Sequence, residues 1–223
     1  MPPTSRPPAG PPLVYVDDLE RPALTDGDRH HLDRVLRVRS GDLLTFADGS
    51  GSWRPGRMGP HLEADGAIET EPDRTNDLTV CFALVKGAKP ELVVQKLTEI
   101  GIDVIVGFVA DRSVVRWDDD KSSKALQRWT AVAREAGMQS RRARLPVVEP
   151  VGSFETVAKR EGVRADMDGR AMAPNDCCVL IGPEGGWSDR ERTAMPGSVA
   201  LGSHVLRAET AAIVAASLLA RWP

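Results

Sequence analysis

Cysteine is scarce in this sequence, and its spacing excludes two common uses of the residue. The 223-residue chain contains three cysteines, Cys81 and the adjacent pair Cys177 and Cys178. There is no CxxC pair, so neither a zinc site nor a disulfide framework is indicated, and no metal site is predicted. All three cysteines lie in apolar runs, which predicts buried, small core residues. This usage is typical of the reducing cytoplasm.

Long apolar runs and an excess of basic residues are also absent. The longest apolar run, residues 211–220, is far too short to cross a bilayer. Because the net charge is −3, any contact with RNA must come from local patches. The start, MPPTSRPPAGPP, lacks the apolar core of a signal peptide. Its many prolines predict a disordered lead over residues 1–12.

Phosphate-binding motifs are missing, although a glycine-rich turn is present. Residues 177–181 form an apolar run of strand length, and IGPEGGWSDRE continues it, with Ser188 and Glu191 matching a capping box at a helix start. Ligands of open α/β sheets bind at such turns. The turn matches neither G-x-x-x-x-G-K-[ST] nor G-x-G-x-x-G, and the charge of Glu184 would repel a polyphosphate. A nucleoside without phosphates fits better, with a plain tight turn as the alternative.

The chain divides into two regions of different pattern. Residues 13–72 are β-rich, with a helix predicted over residues 30–38 and a hairpin turn over residues 47–53. The polar stretch 70–77 is typical of a linker. From residue 78 onward strands and helices alternate, which favours an α/β fold with a parallel sheet. The predicted strands are 14–16, 43–46, 67–69, 78–85, 102–109, 147–148, 177–181 and 198–201, and the later helices include 90–100, 122–138, 153–160 and 209–219.

Two further segments carry candidate functions. Positive charge concentrates in residues 111–144, where Arg141, Arg142 and Arg144 suit phosphate contacts. A solvated surface is the alternative, because most charge runs have no other role. A second turn, LGSHVLRAETA at residues 201–211, leads into the last helix. That helix is apolar on nearly all sides, which predicts burial in the interior or at a subunit interface.

Taken together, these segments resemble one family, the ribosomal RNA small subunit methyltransferase E proteins of the SPOUT class. The first region contributes HHLDRVLRVRSGD and FADGSG, and the middle of the chain contributes VKGAKPELVVQKLTEIG, DRSVV and QSRR. IGPEGGWSDRE and LGSHVLRAETA follow in the family's order. VRADMDGRAM at residues 163–172 matches the family's strand and loop poorly.

The resemblance implies a fold and an activity. The implied fold is α/β, a SPOUT-type parallel sheet with a C-terminal trefoil knot over residues 76–223, preceded by a small PUA-like β-barrel domain that binds RNA over residues 13–72. The implied reaction is methylation of N3 of a specific uridine in 16S rRNA of the small ribosomal subunit. S-adenosylmethionine is the implied methyl donor, and a homodimer through the knotted domain is expected. The alternatives are a SPOUT enzyme that acts on tRNA or another rRNA base, and a non-enzymatic RNA-binding scaffold.

The resemblance also implies roles for individual residues. Arg207 is expected to stabilise the anion that develops on the uracil and Glu209 to accept or organise its proton, whereas a simple ion pair between them is the alternative. His30 and His31 are candidates to face RNA, with ordinary helix-start residues as the alternative, and His204 has no assigned role. The implied donor site comprises Ile181, Gly182, Pro183, Glu184, Gly185, Gly186, Leu201, Gly202, Val205, Leu206, Arg207 and Thr210. The implied RNA contacts are His31, Arg37, Arg112, Arg116, Gln139, Arg141 and Arg142.

Overall fold

A computed structural model of the chain describes residues 6–32, 37–85, 90–115 and 117–221, with only the backbone of Asp26, His30 and His31. These residues form two compact units. The first contains the described residues up to Arg74 and, in addition, Arg134–Leu145; the second contains Thr75–Ala133 and the described residues from Pro146 onward. The sequence predicted a continuous region over residues 76–223, whereas residues 134–145 group with the first unit.

The first unit is built on a five-stranded sheet. Strand β1 (Leu13–Tyr15) pairs parallel with β2 (Leu43–Ala47), which forms an antiparallel hairpin with β3 (Ser52–Arg57). The predicted turn over residues 47–53 is thereby confirmed. Strands β4 (Glu63–Ala64) and β5 (Glu69–Thr70) pair with opposite ends of β3. The polar β4 was not predicted, since two residues give no alternation to detect.

The helix predicted over residues 30–38 is wrong at both ends. Helix α1 spans Asp26–His31, because the Thr25 side chain accepts a hydrogen bond from the backbone N–H of Asp28 at 3.1 Å and caps an earlier start. Residues 37–39 are not helical, and Arg37 has a φ of 54°. Residues 33–36 lie outside the described part. The N–H of Val38 bonds to the carbonyl of Leu32, so Val38 still packs against the core.

The second unit contains a six-stranded parallel sheet. In the order in which they lie side by side, its strands are β11 (Ser198–Val199), β9 (Val163–Arg170), β10 (Cys178–Ile181), β6 (Thr79–Ala83), β7 (Val104–Val109) and β8 (Val147–Ser153). The helices are α2 (Pro90–Ile100), α3 (Asp119–Ser140, whose last residues belong to the first unit), α4 (Phe154–Val157), α5 (Asp189–Ala194) and α6 (Ala208–Leu219). The predicted α/β class and the parallel sheet are confirmed.

Two features of this unit differ from the sequence prediction. Strand β9 was missed, because VRADMDGR is too polar to read as a buried strand. The helix predicted over residues 153–160 is limited to α4, which Ser153 caps by accepting a hydrogen bond from the N–H of Thr156. By contrast, α2 has the predicted bounds, and Gly101 ends it with a φ of 108°.

Both faces of the parallel sheet are covered by apolar side chains. On one face, Phe82 and Trp129 pack with the alanine-rich side of α6. On the other, Phe108, Phe154 and Trp187 surround Cys81 and Cys178. Cys177 is partly exposed, which corrects the prediction that all three cysteines are buried. In the described part of the chain, no helix combines the length and apolarity that a membrane span requires.

Candidate functional site

A cleft of about 190 Å³ opens where the turns after β10 and β11 face the middle of β9. Strand β9 pairs with β10 only at Val163 and Arg164, so its next residues separate from β10 and form one wall, Ala165–Met167. The other walls are residues 181–187 and residues 201–211. Ligands bind at such carboxyl-terminal strand ends in open α/β sheets.

The structure brings most of the residues assigned to the donor site to this cleft. Gly185, Arg207 and Thr210 do not line it, although their neighbours in sequence do. Those that line it are Ile181, Gly182, Pro183, Glu184, Gly186, Leu201, Gly202, Val205 and Leu206. Sequence reasoning missed other lining residues: Ala165, Asp166, Met167, Trp187, Arg192, His204, Ala208 and Ala211.

The glycines of the first turn have different surroundings. A Cβ on Gly182 would lie 2.8 Å from the indole of Trp187, so this glycine makes room for the ring. Gly186 has a φ of 70°, which favours glycine. The carbonyl of Gly185 accepts a hydrogen bond from Nη1 of Arg112 at 3.0 Å. Only part of the glycine pattern is therefore explained by access to a ligand.

Trp187 connects two walls of the cleft from below. The side chain is 3% exposed and stacks on Phe108, with ring centroids 6.2 Å apart and an interplanar angle of 8°. Its Nε1 donates to the carbonyl of Ala165 at 2.8 Å. The indole thus fixes the β9 wall relative to the glycine-rich turn. Its position directly after the glycine-rich turn is the one sequence feature that could have marked Trp187 as a residue of the site.

Arg192 is the one arginine among the cleft-lining residues, and it forms an ion pair with Asp166. Asp166 accepts hydrogen bonds from both Arg164 and Arg192, and its side chain is 12% exposed. Arg164 is buried and also donates to the carbonyl of Met195 at 2.9 Å. Because two carboxylates, Asp166 and Glu184, and only one guanidinium line the cleft, this arrangement does not resemble a polyphosphate site.

A buried carboxylate joins the turn to the loop after β7. Glu191 is completely buried, and its oxygens accept hydrogen bonds from the backbone N–H of Asp111 at 2.9 Å and of Ser188 at 2.8 Å. The predicted capping box of Ser188 and Glu191 is confirmed. Hydrogen bonds from Arg190 and Ser188 hold the pKa of the Asp111 carboxyl below its usual value.

Arg207 and Glu209 stand at the start of α6. Arg207 is the N-cap residue and is exposed, while Glu209 is half-buried in the first turn. Within the described residues neither side chain forms a hydrogen bond or an ion pair, so the alternative of an ion pair between them is not observed. Leu206 and Ala208, on either side of Arg207, line the cleft.

The residues predicted to contact RNA have varied surroundings. Arg112 is exposed but donates to Gly185. In the first unit, Arg37 and Gln139 are exposed. Arg116 and the side chain of His31 lie outside what the structure describes.

The neighbouring arginines of the first unit make contacts of their own. The guanidinium of Arg141 donates to the carbonyls of Pro8 and Gly10, and the Arg142 carbonyl accepts the Tyr15 hydroxyl at 2.6 Å. Among the described residues, no group of three His, Cys, Asp or Glu side chains could hold a metal ion.

Comparisons with known proteins identify the class of protein to which this sheet and cleft belong. The family model described as an RNA methyltransferase domain matches residues 72–220. The Ribosomal RNA small subunit methyltransferase E of Mycobacterium bovis is 34% identical, over 94% of this chain and 93% of that protein. The protein of the same name from Bacillus subtilis is 30% identical, over 88% of each chain.

A solved structure is similar in fold over most of the chain. The Ribosomal RNA small subunit methyltransferase E from Neisseria gonorrhoeae, bound to S-adenosyl methionine, has a TM-score of 0.75 and 25% identity, and the match covers 96% of this chain and 98% of that chain. The chain belongs to the ribosomal RNA small subunit methyltransferase E family, which confirms the resemblance found in the sequence.

Proposed function

We propose that this protein transfers the methyl group of S-adenosylmethionine to N3 of a specific uridine in the 16S rRNA of the small ribosomal subunit. The observation that carries the proposal is the cleft, where the two glycine-containing turns meet beside β9. The N. gonorrhoeae relative was solved with S-adenosyl methionine, and the M. bovis relative is named as a small-subunit rRNA methyltransferase.

The chemistry of the cleft fits this donor. Its walls are mainly apolar side chains and backbone, which suit an uncharged adenosine, and the Glu184 carboxylate suits a nearby positive charge. Arg192 is paired with Asp166, and the two carboxylates of the lining outnumber this one guanidinium. When bound, S-adenosylmethionine supplies a methyl group that its sulfonium has already activated, so the protein needs only to bind, orient and stabilise charge.

The start of α6 supplies the groups that act on the uridine. The uridine N3 must lose a proton, and negative charge then develops on the uracil oxygens. Arg207 stabilises that charge with its guanidinium, and Glu209 accepts or organises the proton. Support comes from their position beside the cleft residues Leu206 and Ala208 and from the absence of side-chain partners among the described residues.

The remaining architecture follows the same proposal. The SPOUT-type knotted domain is formed by residues 76–223 apart from residues 134–145, which group with the first unit, and residues 13–72 form a PUA-like RNA-binding domain. Two subunits pair through the knotted domain, with α6 at the interface. RNA contacts comprise His31, Arg37, Arg112, Arg116, Gln139 and Arg142.

Primer extension tests the reaction directly. Purified protein, S-adenosylmethionine and small subunits that lack the modification should give one new stop at a uridine, because N3 methylation blocks Watson–Crick pairing. Methyl transfer to tRNA alone would overturn the choice of substrate. No heat of S-adenosylmethionine binding in calorimetry would favour a non-enzymatic scaffold.

A further inference from the structure

Part of the proline-rich start is held by Arg141 and by the backbone N–H of Thr45, which donates to the carbonyl of Pro12 at 2.9 Å. Nη1 of Arg141 donates to the carbonyl of Pro8 at 2.9 Å, and Nη2 donates to the carbonyl of Gly10 at 2.7 Å. Proline offers a carbonyl but no N–H, so a guanidinium is a suitable partner for such a segment. Arg141 has a φ of 59°, a backbone conformation that few residues other than glycine adopt. We call residues 6–12 the strap.

The backbone around Gly51 brings two arginine-bearing segments together. The N–H of Gly51 donates to the carbonyl of Ala143 at 3.3 Å, and its carbonyl accepts the N–H of Glu71 at 2.9 Å. Ala143 lies between Arg142 and Arg144, and Arg74 follows Glu71 by three residues. These contacts place residues 142–144 beside the segment that contains Arg74.

A side-chain contact also joins residues 142–144 to the segment that contains Arg74. Nη2 of Arg144 reaches a carboxylate oxygen of Asp73 at 2.6 Å. A Cβ on Gly51 would lie 2.7 Å from the Arg144 guanidinium, so the bare glycine lets that group lie close against the backbone. The guanidinium of Arg144 therefore lies against the Gly51 backbone and pairs with Asp73.

The charge of Arg6, at the start of the strap, acts at the same place. Burial raises the pKa of the Glu71 carboxyl, and the positive charges of nearby arginines oppose that shift. These arginines, which we call the guanidinium cluster, are Arg6, Arg142, Arg144 and Arg74. Four arginine cations therefore act on one partly buried carboxyl, in a chain whose net charge is −3.

We propose that the guanidinium cluster binds the phosphate backbone of RNA and that Arg141 positions Arg6 in it through the strap. Guanidinium groups match phosphate oxygens in geometry and charge. Arg6 and Arg74 are exposed, and the cations are carried by three chain segments, which suits a chain of phosphates better than one anion. Arg141 thus has a positioning role in place of the RNA contact that the sequence predicted. This inference rests on the proposed function, which makes RNA the substrate.

Salt dependence of RNA binding tests the cluster. The affinity of a fluorescently labelled small-subunit rRNA transcript is measured by anisotropy over a range of KCl concentrations. Arg6→Gln and Arg74→Gln should each weaken binding several-fold and reduce the slope of log K against log salt by about 0.7–0.9. Arg57→Gln is the matched control, because Arg57 is an exposed arginine at the end of β3 away from Gly51. Slopes equal to that of the control would overturn the proposal.

A double-mutant cycle tests the strap. If Arg141 acts through Arg6, the double variant Arg6→Gln, Arg141→Gln should bind no more weakly than Arg141→Gln alone. Additive losses would mean that Arg141 contacts RNA itself and would overturn the positioning role. Thermal unfolding checks that each variant is folded, and the exposed Arg6 and Arg74 variants test the cluster independently of Arg141.

Two measurements separate this inference from the proposed function. All the variants should bind S-adenosylmethionine with the affinity of the unmodified protein in calorimetry. If the unmodified protein methylates small subunits while Arg6→Gln and Arg74→Gln bind RNA normally, only the inference about the cluster fails. If the unmodified protein binds no RNA, both fail.

Discussion

At the scale of single residues, the glycine-rich turn after β10 contains both residues that are fixed by packing and residues that line the cleft. The sequence predicted a turn that a ligand approaches, and the cleft lies there. It could not predict that Gly182 is set by the Trp187 ring, or that Gly185 faces Arg112, because both depend on contacts made by the folded chain. The residues of β9 were missed for the same reason, because nothing in their polar sequence indicates that they line a cleft.

Replacement of Gly182 by alanine tests the packing explanation. The added Cβ would press on Trp187, so the ring must shift and weaken its hydrogen bond to Ala165. We expect the free energy of unfolding to fall by about 1–3 kcal/mol, as for other overpacked sites. In the double variant with Trp187→Leu the loss should be smaller than the sum of the two single losses. Gly27→Ala is the control, since its nearest atom would be 3.8 Å away. Additive losses in chemical denaturation would contradict this explanation.

Replacement of Arg207 tests the proposed charge stabilisation. Arg207→Gln removes the cation but keeps the length of the side chain, and Arg207 does not line the cleft itself. We expect the rate of methyl transfer in single-turnover assays to fall by about 10²-fold or more. The affinity for S-adenosylmethionine in calorimetry should change less than twofold. A loss of donor binding with an unchanged rate would assign Arg207 to the donor site alone.

At the scale of elements, sequence prediction succeeded where a local signal is complete. Helix α2 has proline at its first position and glycine after its last, and α5 has a full capping box, so both could be located from sequence. Sequence prediction failed where residues distant in sequence determine the structure. An example is β9, whose pairing with β11 requires the bare backbone of Gly169 against Val199.

An ion-pair network that joins the end of β7, α4 and α5 predicts acid sensitivity. Hydrogen bonds from Ser153, the Glu155 backbone N–H and Arg190 lower the pKa of the Glu155 carboxyl to about 2. An unfolded glutamate titrates near a pKa of about 4.3. The stabilisation is therefore present above this value and is lost as the pH falls towards 2. Chemical denaturation across this range should show a shallower loss of stability for Glu155→Gln than for the unmodified protein; parallel curves would contradict the network's role.

At the scale of the whole molecule, the class of sheet was predictable and its strand order was not. Alternating strands and helices predicted parallel strands, and continuous apolar runs marked those with both faces covered. Yet the central neighbours β6 and β10 lie far apart in sequence, and β9 enters beside β10 without an apolar signature. Such pairings are fixed by the path of the chain, which periodicity does not encode.

The proposed homodimer gives a prediction for the assembled molecule. One side of α6 is buried in its own unit, whereas Ile213 and Val214 on the other side remain partly exposed, and burying apolar surface of this kind favours association. Light scattering should give a mass of about twice 24.1 kDa. Ile213→Asp should reduce it to that of one subunit, because a charge at the interface would lose its hydration. Val147→Asp, on the exposed face of the edge strand β8, is the control and should leave the mass unchanged. An unmodified protein with the mass of one subunit at micromolar concentration would exclude α6 as a stable interface.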